Sequence, residues 1–231
     1  MYKSAFLHHI NNNEKAGQVS FVHLVFCKKN LSLLRLFKKS IAILNNLSFS
    51  LLCIECTDQK TDYKIIFRGD SVGNMQLCKN KTGDNISLKL TSSVRIHFFI
   101  KVNVKCQEMS SFQNGRLIYS NVSRVVNGKE KAARQTRAYG DTYEATSFGK
   151  AVTSTIKPID YNLNMLNFQE PFNKQIVYSD NFQQFLTVEQ VALHRYKIVL
   201  PDGNYNYYTF TDGLCSTVEL HHSFYTVYLQ N

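Results

Sequence analysis

The seven histidines of this chain are the residues best suited to metal binding or acid–base chemistry near neutral pH, so their spacing comes first. His221 and His222 are adjacent in a segment that reads as a β-strand, where successive side chains point to opposite faces. They cannot hold one ion together. His8 and His9 lie far upstream, and His97 stands beside Arg95 on a polar strand face. No HExxH, GxSxG or glycine-rich phosphate loop occurs.

Cys53-Ile-Glu-Cys56 has the spacing of a zinc knuckle or a redox pair. A structural zinc takes four ligands, usually from two such pairs, and there is no second pair. A thioredoxin-like reading needs a βαβ context, which the pattern lacks. The two cysteines therefore read as small apolar residues in a hydrophobic stretch. Cys27 joins them upstream, leaving Cys78, Cys106 and Cys215, an odd number, in the rest. No disulfide framework, metal or cofactor is expected. Many acids (Asp70, Asp84, Asp141, Asp202, Asp212) fall in turns, where Asx geometry accounts for them. A carboxylate pair need only meet in space, so an undetected hydrolase stands as a third reading with nothing to favour it.

Aromatic residues are the remaining chemistry. "DGNYNYYTFTDG" sets Tyr205 and Tyr207 on one face of a strand and Tyr208 and Phe210 on the other. A strand aromatic on both sides packs one side in the core and shows the other to a ligand, a helix or a partner. Tyrosine, apolar in body and polar at its tip, suits a half-wet wall. Plain cross-strand aromatic pairing is the alternative. Tyr205, Tyr207, His97 and His222 are the candidate ligand-binding residues.

The elements that must position these side chains are strands. Residues 62–231 are punctuated by "RGDSVGN", "KTGDN", "QNGR", "VNGK", "YGDT", "PDGN" and "TDGL". Asn-Gly and Asp-Gly recur because two-residue hairpins of type I′ need positive φ at both central positions. Strands are expected at 116–126, 129–138, 141–147, 196–200, 204–211, 214–220 and 223–229. "VRIHFFIKVNVKC" alternates strictly and predicts a single strand of thirteen residues, about 40 Å long, bending across a barrel. Residues 156–191 break the pattern and hold two of the three prolines. "DYNLNMLNF" predicts one short helix near 160–168, plugging the barrel, followed by an extended connection. The expected fold is mainly β: an antiparallel meander forming a curved sheet or partly open barrel, with that helix packed at or in it.

The net charge of +10 divides evenly: residues 1–60 carry eight Lys/Arg against three acids, and the rest nineteen against fourteen. Charges in the larger part are interspersed, so a nucleic-acid partner is not expected. Residues 1–60 form a separate extension. Within about 38–56, Lys38 and Lys39 precede a mostly apolar run from Ile41 to Ile54, the order of a secretory signal. The run is too short to cross a bilayer. An amphipathic or disordered arm is the alternative.

The segments "NMLNFQEP", "NFQQFL" and "LPDGNYNYY", within residues 62–231, resemble an uncharacterised family of small exported β-rich proteins of Gram-negative bacteria. More distantly, the family is similar to envelope half-barrels that curl around a helix or an apolar ligand. The resemblance implies export to the periplasm or outer envelope, at most peripheral membrane association, and no catalytic residues. The expected function is non-enzymatic binding of a lipid, hydrophobic peptide or other amphipathic ligand by a monomer. The alternative is a fully packed module that binds another envelope protein.

Overall fold

The computed structural model describes residues 58–97, 101–155, 157–223 and 225–231. The signal-like segment and the Cys53–Cys56 pair lie outside the described residues. The chain first lays down β1 (Gln59–Phe67), β2 (Asp70–Thr82), β3 (Asn85–His97), β4 (Lys101–Gln113), β5 (Arg116–Val126), β6 (Lys129–Tyr139), β7 (Thr142–Ser147) and β8 (Lys150–Thr155). After a crossover come β9 (Ile176–Ser179), β10 (Gln184–Ala192), β11 (Arg195–Val199), β12 (Tyr205–Thr211), β13 (Leu214–His222) and β14 (Tyr225–Gln230).

All fourteen strands belong to one antiparallel sheet. Its seam is the pairing of the first strand with the last, Ile65 facing Leu229. From that seam β1 to β8 extend one way and β14 to β9 the other, so the two free edges are β8 and β9, consecutive in the chain. The crossover must therefore return from one edge to the other. It does so inside the curl: Ile159, Tyr161, Leu166 and Phe168 are buried. Backbone bonds fix it at both ends, from Leu117 N–H to Ile159 C=O at 2.8 Å and from Val188 N–H to Gln175 C=O at 2.9 Å. The sheet is a half-barrel whose open side is filled by its own crossover.

The hairpins follow the turn chemistry. Asn114 (φ 50°) and Gly115 (φ 74°) form one such turn, with the positive dihedrals a type I′ turn demands. Gly73 serves differently. A Cβ there would sit 2.1 Å from the Ser93 carbonyl oxygen, so only glycine lets β2 and β3 approach this closely. Phe148–Gly149 makes a turn that carries no Asn or Asp, and it separates β7 from β8.

Four expectations are corrected. The predicted thirteen-residue strand is two strands, because the chain reverses between His97 and Lys101 and Val94 faces Val104. Paired residue numbers there sum to an even value, so even positions stay on one face through the reversal. Val94, Ile96, Val102, Val104 and Cys106 are all buried, as a single strand would also have it. The predicted helix is only a 3₁₀ turn, Met165–Asn167. Asn162 there takes the Met165 N–H on both its side-chain and main-chain oxygens, the local competition that keeps Asn-rich segments from becoming α-helical. The expected extended connection contains β9 and β10. Finally, Cys78 is disulfide-bonded, its partner lying outside the described residues.

Candidate functional site

Alternation along the strands buries Tyr63, Ile65, Leu77, Leu90, Val104 and Val218 on the inner face. That apolar register is interrupted where β4, β5 and β6 lie side by side. The position after Val102, Val104 and Cys106 in the same register is Glu108; between Val122 and Val126 stands Arg124; between Ala132 and Thr136 stands Arg134. Cross-strand pairing sets Cys106 opposite Arg124, Glu108 opposite Val122, and Val122 opposite Arg134. Three ionisable side chains are thereby gathered on the concave wall.

The crossover and the β9–β10 turn supply the other half. Asn164 Nδ2 donates to Glu108 Oε2 at 3.1 Å. Asn162 Nδ2 donates to Asp180 Oδ2 at 2.7 Å and to Ser110 Oγ at 3.0 Å. Arg124 donates to Asn181 Oδ1 at 3.0 Å, and Gln183 Nε2 reaches the Gln135 and Thr146 carbonyls across the gap. These bonds tie the β9 edge to the opposite side of the curl. Buried polar groups must be paired or become costly. This network is why the half-barrel closes on this side.

Burial shifts the titration of its members. Asp180 is pushed up to about 7 by burial, with the nearby Glu108 adding to the rise and hydrogen bonds from Ser120 and Asn162 opposing it. Glu108 is also raised by burial, against the attraction of Arg124. The Cys106 thiol is pushed up to about 12 by burial and is no ready nucleophile.

Beside this polar wall is a cavity of about 160 Å³. Its other side is apolar, formed by Ile65, Leu90, Leu200, Tyr208, Val218 and Leu229. Met75, Leu163, Asn181, Leu220 and His222 also border it and are only half-buried, which marks the rim. A larger depression of about 970 Å³ crosses β1–β4, but its walls include the solvated Asp62, Lys64, Asn74, Lys105 and Gln107. It offers a ligand little burial.

Of the four residues singled out in the sequence, His222 borders the cavity. Tyr205 and Tyr207 stand on the outer face, where Tyr205 stacks on His221 (centroids 4.9 Å apart) and Arg195 and Lys197 lie over the two phenol rings. His97 is exposed at the end of β3. The inward aromatics of β12 are Tyr208 and Phe210. Of the ionisable wall only Arg124 has a signal in the sequence, a charge between two apolar positions, Val122 and Val126, of one register. Among the described residues, no cluster of three or more His, Cys, Asp or Glu is placed to hold a metal.

An antiparallel sheet curled around its crossover and a small cavity is a β-barrel-like domain. Residues 63–230, more than half of the chain, match the family described as "Domain of unknown function (DUF6134)", and the chain belongs to that family. A solved structure, a β-barrel-like protein of domain of unknown function DUF1849 from Brucella abortus, is similar at 7% identity and a TM-score of 0.48. The similarity covers 74% of this chain and 94% of that one. Comparison with curated proteins gave no match.

Proposed function

We propose that this half-barrel is a binding protein of the cell envelope that encloses one small amphipathic molecule. The observation that carries the reading is a cavity with an apolar wall on one side and buried, hydrogen-bonded ionisable groups on the other. At about 160 Å³ it is close to cavities that hold a benzene-sized molecule, and smaller than the pockets of drug-sized ligands. The occupant is a compact molecule or the tip of a longer chain, rather than a whole lipid. Binding would come from burial of its apolar surface at about 25 cal/mol per Å². Disulfides persist in oxidising compartments, and the bonded Cys78 supports export to the periplasm or outer envelope.

The convergence of Glu108 and Asp180 favours a second reading, a hydrolase in which the two carboxyls divide acid and base roles. Mass spectrometry under native conditions, on protein purified from its own cells, separates the two. The binding reading expects a co-purifying small molecule released unchanged on unfolding. Release of a cleaved product would support the hydrolase, and a bare protein mass would count against binding.

A further inference from the structure

We infer that the ligand of this cavity carries a neutral hydroxyl group, placed so that it donates to the amide oxygen of Asn206, one of two unpaired acceptors at the wall, the other being that of Asn167. The inference rests on the binding reading above and adds the chemistry of the head group. Asn167 lies in the crossover and Asn206 on β12, and both border the cavity. They are 5% and 8% exposed, so bulk water does not solvate them. Neither Oδ1 atom takes a hydrogen bond from the protein. Their amide nitrogens are committed: Asn167 Nδ2 donates to the Asn164 carbonyl at 3.2 Å, and the Asn206 side chain hydrogen-bonds the Tyr208 hydroxyl. Two buried acceptors left without donors are costly, and a ligand that brings one donor removes the cost at one of them.

The rest of the wall narrows the class. A carboxylate or phosphate head would bring further acceptors to acceptors, beside the Glu108 carboxyl. An ammonium head would bring a second cation beside the buried Arg124, which borders the cavity. A hydroxyl donates one hydrogen bond, carries no charge into the enclosed site, and leaves its apolar body for Ile65, Leu90 and Leu229. An alcohol or phenol therefore fits where an acid or amine does not.

Phenol, toluene and benzoate have similar ring bodies and differ in the head, so calorimetric titration of the intact protein with each is the test. The expected result is phenol binding about tenfold or more tighter than either of the others. In Asn206→Leu, phenol should lose most of that advantage while toluene binds as before. Toluene or benzoate matching phenol, or an advantage unchanged in Asn206→Leu, would overturn the hydroxyl assignment and leave the binding reading standing. If none of the three bound, both would fall.

Discussion

Asp180→Asn should make the protein more stable at about pH 8 while leaving it no more stable below about pH 4. The Asp180 carboxyl titrates near 7 in the folded protein, against an ordinary value of 3.8. The folded state thus binds a proton more tightly than the unfolded chain, and the stability this provides is fully present below about pH 4. It is lost as the pH rises through about 7, because the folded state must then either carry a buried charge or hold a proton that the solvent would take. The difference corresponds to about 4 kcal/mol, an order of magnitude for a group enclosed by Ser120, Asn162 and Glu108. Glu108, raised in the same direction, adds to the slope, so the asparagine removes part of it. Urea midpoints measured across this range should fall with rising pH in the wild type and flatten in the variant. A wild-type midpoint that rises steadily from about pH 5 to about pH 8 would contradict the burial of this carboxyl.

Arg124→Met should cost about 3–5 kcal/mol, because it strips a buried carboxyl of its cation rather than removing a balanced pair. Arg124 is 3% exposed between two buried valines of β5, and it is the chief opposing influence on the raised Glu108. Its loss also removes the shorter of the two arginine bonds to Asn181, the other coming from Arg134, and with it one tie across the open side of the barrel. Adding Glu108→Gln should restore a good part of the stability, since the charge left alone is then gone. Urea denaturation of both variants measures this. A loss below about 1 kcal/mol in the single variant, or no recovery in the double, would show that these groups are not coupled inside the fold.

How much of this was readable beforehand divides along physical lines. Hairpin turns built on Asn-Gly and Asp-Gly are local chemistry, so strands such as β5, β6, β12 and β13 lie close to where the turns place them. The reversal between β3 and β4 contains none of these residues and preserves alternation, so it looked like a continuous strand. β9 was hidden because Val177, Tyr178 and Ser179 are buried together, which erases the period of two. Which face of β12 turns inward depends on its neighbours' register, not on its own residues. Tyr205 and Tyr207 were therefore no better candidates than Tyr208. Arg124 carried a signal of its own, a charge in step with buried apolar residues, whereas Asp180 and Asn181 could be brought to it only by closure of the sheet.

Ligand binding by this fold depends on a space inside the curl that is apolar on one wall and polar on the other. Diffraction from crystals of the full chain held under xenon reads that space directly, because xenon enters dry apolar cavities. The expected result is a xenon peak against Ile65, Val218 and Leu229, with any ordered water confined to the side of Asn167, Asp180 and Asn206. Side chains meeting across that volume, with neither xenon nor water between them, would contradict it.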